Sequence, residues 1–109
     1  LKRYRDDIFK DKYRKLRWSA PAGTVTAHFA KDCYTHIHPE QPRTVSIREA
    51  ARLQSFPDDF RFFGNMGDRF RQIGNAVPPL MAWGIAEYVR EKLSHAGLQV
   101  VPLTTPRRA

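Results

Sequence analysis

The chain has 109 residues, with 19 Lys and Arg against 11 Asp and Glu, a net charge of +8 and one cysteine. This length fits one small domain with a modest core, and one cysteine excludes an intrachain disulfide framework and fits a reducing cytoplasm. No apolar run approaches the roughly 20 residues that cross a bilayer, and no signal peptide is visible. The cationic excess favours a polyanionic partner such as nucleic acid, although charge alone is equally compatible with a solvated basic surface. The first residue is Leu1 rather than Met, which suits an excised fragment.

In the first half of the chain, the sequence predicts one short helix or turn followed by β-structure. Residues 1–17 are strongly charged with interleaved apolar residues, which predicts a short amphipathic helix or turn that docks on another surface. Two β-prone segments follow, Thr24–Phe29 and Tyr34–His38. The residues between them, 30–33, predict the turn of a β-hairpin.

The second half predicts helices. Ser46 followed by Glu49 forms a capping box, so we expect a helix from Ser46 to Phe56, ended by Pro57. Asp68 predicts the cap of a single turn that reaches Ile73. The longest helix is expected from Pro79 to about Gly97, with a broad apolar face over residues 80–93. The expected fold class is therefore α+β, a small fragment with a β-hairpin region and two main helices.

Two blocks carry a specific resemblance. They are Arg43-Thr-Val-Ser-Ile-Arg-Glu-Ala-Ala-Arg-Leu-Gln-Ser-Phe-Pro57 and Gln72-Ile-Gly-Asn-Ala-Val-Pro-Pro79. Together they resemble motifs IX and X, the last two signature blocks of the DNA (cytosine-5) methyltransferases. The resemblance implies the C-terminal part of a class I methyltransferase fold. It also implies that the second block lines the S-adenosylmethionine pocket, with Asn75 and Ala76 as the cofactor-contacting positions.

The segment before the first block is similar to the end of the target-recognition domain in bacterial members of this family. In that comparison Thr26 matches a position where a hydroxyl meets the DNA backbone, and His28 lies nearby. Arg43, in the loop before the motif IX helix, is a further candidate for phosphate contact. The expected organisation is residues 1–42 as the end of the recognition region, 43–97 as the motif IX/X segment and 98–109 as a basic tail.

Charged residues of the motif IX helix favour an architectural role. Arg48, Glu49 and Arg52 lie within three or four positions of one another, so we expect the carboxylate and the guanidinium groups to pair on the helix surface. In the family, this block braces the DNA-reading region against the catalytic domain. We therefore assign these three residues a structural role rather than a direct phosphate contact.

The blocks that carry the chemistry of this family are missing from the sequence. A Pro-Cys block supplies the nucleophilic thiolate, a Glu-Asn-Val block steadies the cytosine ring, and a glycine-rich block holds the cofactor. The only thiol is Cys33, which follows Asp32 rather than a proline and is not expected to be catalytic. The spacing of Cys33 and the nearby histidines matches no standard zinc site, so no metal is expected.

Three functional hypotheses remain open. The chain is the C-terminal part of a cytosine-5 methyltransferase and inactive alone, or one half of a split enzyme completed in trans, or a non-catalytic DNA-binding module. The expected partners are double-stranded DNA, the missing N-terminal catalytic region and a second copy of the chain, which binds through the Leu80–Leu93 face. No membrane is expected as a partner. S-adenosylmethionine is expected in the complete enzyme and not tightly bound here, and the expected location is the cytoplasm of a bacterium with restriction–modification.

Overall fold

A computed structural model describes residues 12–99 and residue 101. It contains three α-helices, α1 at Ile47–Leu53, α2 at Met66–Asn75 and α3 at Pro79–His95. Two short 3-10 turns precede them, at Ala27–Ala30 and Cys33–Thr35. The expected amphipathic helix or turn over residues 1–17 lies mostly outside the described residues, and its described part, 12–17, contains a turn and no helix. Most of the expected basic tail also lies outside the described residues. The described part of the chain is mostly helical.

The predicted β-hairpin is wrong. Within the described part, Ile37 forms isolated bridges with Lys15 and Thr44, and there is no β-strand. The segment over Thr24–Phe29 instead curls into the first 3-10 turn, where the Phe29 amide donates to the Thr26 carbonyl at 3.0 Å. Curling places the Phe29 ring in the core, with its centroid 5.4 Å from that of Phe70. Burial of one large ring therefore outweighs the β-propensity of an alternating segment.

The capping box predicted at the start of α1 is confirmed. The Ser46 hydroxyl accepts from the Glu49 amide at 3.3 Å, and the Glu49 carboxylate accepts from the Ser46 amide at 2.7 Å. The helix ends at Leu53, three residues earlier than the predicted Phe56. Ser55 stands in the left-handed region with φ 60°, so the chain leaves the helix before Pro57 can stop it.

Helix α2 begins earlier than predicted, because Asn65 rather than Asp68 is its N-cap. The Asn65 side chain accepts from the Asp68 amide at 2.9 Å, and the Asp68 carboxylate accepts from the Asn65 amide at 3.1 Å. Asp68 is thus the reciprocal partner in a second capping box. The helix carries two of the seven apolar residues of the core: Phe29, Val45, Ala50, Ala51, Phe56, Phe70 and Ile73.

Helix α3 has the predicted position. Pro79 is its first residue, and the chain turns away at Gly97, which has φ 78°. No residue of this helix is buried, although its apolar residues lie at helical spacing. Among the described residues, no helix combines the length and apolar character needed to cross a bilayer.

Candidate functional site

The turn that joins α2 to α3 holds the two residues expected to contact a cofactor. Asn75 is the last residue of α2 and is exposed, while Ala76 is half-buried and adopts an extended conformation. The Ala76 amide donates to the Ile73 carbonyl at 3.2 Å. This arrangement presents the Asn75 amide group at the surface, next to a main-chain segment of fixed direction.

A buried side chain directly after α1 fixes the shape of this turn. Gln54 is only 6% exposed, and its amide nitrogen donates to the Ile73 carbonyl at 3.1 Å and to the Ala76 carbonyl at 3.4 Å. Buried polar groups of this kind are stabilising when their hydrogen bonds are made and costly when they are not. The sequence pattern predicted Gln54 only as one residue of the helix from Ser46 to Phe56, and this role was missed. A polar residue on an otherwise apolar face was the available signal.

The next residue, Ser55, caps α3 from a distance. Its hydroxyl accepts from the Leu80 amide at 3.1 Å, one of the donors that the start of a helix leaves without an intrahelical acceptor. Pro79, the preceding residue, has no amide hydrogen to satisfy. Two consecutive residues after α1 therefore set both ends of the turn between α2 and α3.

Gly74 brings the same turn against the segment that carries Thr26. A Cβ atom at Gly74 would lie 2.6 Å from the Thr26 carbonyl oxygen and 3.3 Å from Cβ of Phe29. Both distances are shorter than an ordinary van der Waals contact, so only glycine permits this approach. The cofactor candidates and the DNA candidate Thr26 are thus parts of one packed unit.

The three DNA candidates lie in different surroundings. Thr26 is exposed and lines a cleft with basic residues of the segment 12–17, whereas His28 lines a separate hollow with Lys31 and Arg71. Arg43 lines neither of them. Its guanidinium instead forms two parallel hydrogen bonds to the Glu49 carboxylate, at 2.8 and 2.9 Å.

The pairing predicted within the motif IX helix is wrong. Glu49 pairs with Arg43 of the preceding loop, and Arg52 pairs with Asp58 of the following loop at 2.6 and 2.9 Å. Arg48 donates to the Asp58 carbonyl rather than to Glu49. The helix surface pairs with both flanking loops, and each pair joins a planar guanidinium group to a carboxylate through two hydrogen bonds.

These ion pairs shift the acidity of the two carboxyl groups. The hydrogen bonds from Arg43 are the largest cause that lowers the pKa of Glu49 from 4.5 to about 2, and the Ser46 amide adds to the effect against partial burial. The hydrogen bonds from Arg52 likewise lower the pKa of Asp58. Both carboxylates are therefore charged at neutral pH, which is suited to bracing loops and not to accepting protons.

An apolar groove of about 410 Å³ runs along α3. Its lining is almost entirely aliphatic: Val77, Ala82, Ile85, Ala86, Val89, Arg90 and Leu93. Ile85 is 51% exposed and Val89 is 47% exposed. A contiguous exposed apolar surface of this kind is typical of a site that another surface covers.

Cys33 is a half-buried free thiol. No group of three His, Cys, Asp or Glu side chains that could hold a metal ion occurs in the part of the chain that the structure describes.

Comparison with known protein families matches residues 2–91 to the C-5 cytosine-specific DNA methylases. Among curated proteins, the chain is 56% identical over 86 residues to the type II methyltransferase M.AgeI of Thalassovita gelatinovora, covering 79% of this chain and 20% of the relative. It is 41% identical over 97 residues to the type II methyltransferase M.Bpa9945I of Bacillus paralicheniformis, covering 86% and 22%. It is 65% identical over 49 residues to mouse DNA (cytosine-5)-methyltransferase 1, covering 45% and 3%.

The chain spans about a fifth of the length of the bacterial relatives. No solved structure matches it.

Proposed function

The chain belongs to the family of C-5 cytosine-specific DNA methylases, and we propose that it is the C-terminal portion of an enzyme that methylates cytosine carbon 5 in DNA. The methyl donor is S-adenosylmethionine. In this proposal, residues 43–97 supply one wall of the cofactor pocket, and residues 1–42 close the region that reads DNA. Residues 98–109 form a basic tail, and the enzyme works in the bacterial cytoplasm.

The turn built by Gln54 and Ser55 is the observation that carries the proposal. It holds Asn75 at the surface and Ala76 in a fixed extended conformation. A polar cofactor needs a few well-placed hydrogen-bonding groups on a rigid support. The Asn75 amide group and the adjacent main chain provide them, and burial of Gln54 provides the rigidity.

We propose that α3 rests against the remainder of the enzyme through its apolar groove. Covering the groove stabilises the assembly by removing aliphatic surface from water. In the isolated chain, the same face pairs with a second copy. Light scattering at micromolar concentration then gives a dimer mass, and a monomer mass would contradict the pairing.

The isolated chain is proposed to be inactive. No Pro-Cys or Glu-Asn-Val block occurs in the sequence, and Asp32 precedes the single thiol, Cys33. A thiolate next to a carboxylate is disfavoured, so Cys33 is not a substitute nucleophile. A split enzyme, completed by a second chain with those blocks, is the variant of the proposal that the intact motif IX and X blocks favour.

A chimaeric enzyme tests the cofactor wall. The matching 86 residues of M.AgeI are replaced by the corresponding residues of this chain, and transfer of labelled methyl to DNA is measured. We expect Asn75→Ala in the chimaera to raise KM for S-adenosylmethionine more than it lowers kcat, because the lost contact holds the cofactor.

Asn65→Ala is the matched control, since Asn65 is the other asparagine and caps α2. It should lower the melting temperature of the chimaera by removing a cap, at a cost of about 1 kcal/mol, and leave KM unchanged. Equal effects of the two variants on KM would contradict the role of Asn75.

A further inference from the structure

We propose that the cleft between residues 12–17 and residues 21–26 binds the phosphate backbone of duplex DNA. This inference rests on the proposed function, because it takes the substrate of the complete enzyme to be DNA. It adds the contact surface: Arg14, Lys15 and Arg17 are assigned to the backbone together with Thr26, whereas His28 and Arg43 lie outside the cleft.

The cleft has a volume of about 360 Å³ and a lining that suits a phosphate. Four cationic residues line it: Lys12, Arg14, Lys15 and Arg17. Thr24 and Thr26 also line it, and both residues are exposed. Cationic and hydroxyl side chains are the groups that position proteins on DNA phosphates, independently of base sequence.

The two walls of the cleft are anchored to neighbouring residues. On one wall, the Leu16 amide donates to the Ile37 carbonyl at 2.8 Å, and the Ile37 amide donates to the Arg14 carbonyl at 3.3 Å. On the other wall, Nε2 of His36 lies 3.0 Å from the Gly23 carbonyl. His36 is 2% exposed, so this second anchor is shielded from water.

The hydrogen bonds of His36 hold the chain at Gly23, three residues before Thr26. The Gly23 carbonyl can only accept, so Nε2 carries the hydrogen, and in the neutral ring Nδ1 accepts from the Thr35 hydroxyl at 2.8 Å. Both ring nitrogens are used within the protein. His36 is therefore a positioning residue that fixes the segment leading to Thr26.

One carboxylate shares the cleft. Oδ2 of Asp32 lies 2.5 Å from Nζ of Lys12, while Oδ1 is buried without a hydrogen-bond partner among the described residues. The cations still outnumber the single carboxylate, so the cleft attracts a polyanion. Asp32 nevertheless opposes phosphate binding, and this opposition gives the proposal a directional test.

The experiment is equilibrium binding of the 109-residue chain to a fluorescein-labelled duplex, by anisotropy over a series of salt concentrations. The plot of log K against log salt has a negative slope, and its magnitude decreases by about one for each phosphate contact that is lost. We expect Arg14→Gln and Lys15→Gln each to lower the magnitude of the slope by about one. Arg61→Gln is the control of equal charge change, because Arg61 is exposed and lies outside the cleft, and it should leave the slope unchanged.

The Asp32→Asn variant distinguishes a change in phosphate binding from a loss of structure. Removing the opposing carboxylate should tighten DNA binding, whereas general damage to the fold would weaken it. Circular dichroism of each variant confirms that the helices persist. Weaker DNA binding by a folded Asp32→Asn chain would overturn the proposal, as would the absence of DNA binding at low salt. An equal change of slope for Arg61→Gln would also overturn it. So would polyglutamate that displaces the labelled duplex as well as unlabelled DNA does.

Failure of this inference is distinguishable from failure of the proposed function. If the chimaera methylates DNA while Arg14→Gln and Lys15→Gln bind like the unsubstituted chain, the cleft assignment is wrong and the enzyme assignment stands. If cleft variants lose binding as expected but the chimaera is inactive, the cleft assignment stands and the enzyme assignment fails.

Discussion

Replacing Gly74 by alanine tests the contact between α2 and the Thr26 segment. The new Cβ would lie 2.6 Å from the Thr26 carbonyl oxygen, and Cβ of Phe29 is close behind at 3.3 Å. The first of these atoms belongs to the backbone, so it cannot move aside as a flexible side chain would. Relief requires α2 and the 3-10 turn at Ala27–Ala30 to separate, which loosens the packing of Phe29 on Phe70.

Two opposing terms set the size of the effect. Overpacking a close contact costs about 1–3 kcal/mol, while alanine gains up to about 1 kcal/mol over glycine in a helix. The balance is a loss of about 1–2 kcal/mol of unfolding free energy. With a urea m-value of about 1–2 kcal/mol/M for a small domain, the midpoint measured by circular dichroism should fall by about 1 M.

Gly84→Ala is the matched control, because Gly84 lies inside α3 and a Cβ there meets no atom within 4 Å. That substitution should leave the urea midpoint unchanged or raise it, and it should strengthen the helical signal through propensity alone. A Gly74→Ala chain as stable as the unsubstituted chain would refute the close approach.

Three further predictions follow from the same contacts. Because the pKa of Glu49 is lowered to about 2, the stability from its pair with Arg43 is present above pH 4.5 and is lost as pH falls towards 2. Glu49→Gln should therefore unfold with less pH dependence in that window, and an unchanged pH profile would contradict the pairing. Ser55→Ala removes the acceptor of the Leu80 amide and should speed hydrogen exchange at Leu80 several-fold, for a lost cap of about 1 kcal/mol. Phe29→Ala empties a core position that is 1% exposed and should cost about 3–5 kcal/mol, so a urea midpoint close to that of the unsubstituted chain would show that the ring is not buried.

Features encoded within a few residues were predictable from the sequence. The capping box of Ser46 and Glu49 closes over three residues, and the start of α3 follows from Pro79. Asp68 was predicted as the cap at the α2 N-terminus, whereas the N-cap is Asn65. The two residues cap each other, and the sequence pattern alone does not say which one leads.

Features that depend on distant partners were not predictable. Phe29 leaves the expected strand because Phe70, 41 positions later, offers it a buried contact. Glu49 chooses Arg43 outside its own helix for the same kind of reason. Gln54 was predicted to lie within the helix from Ser46 but is its C-cap, and its acceptors at Ile73 and Ala76 arise only from the packing of α1 on α2.

Labelled methyl transfer by the chimaera tests the central claim most directly. We expect the chimaera of M.AgeI with this chain to transfer methyl to cytosine carbon 5 of DNA, and the isolated 109-residue chain to transfer none. A folded chimaera without methyl transfer would contradict the proposed role of the cofactor turn. Methyl transfer by the isolated chain would contradict the claim that the chemistry resides in the remainder of the enzyme.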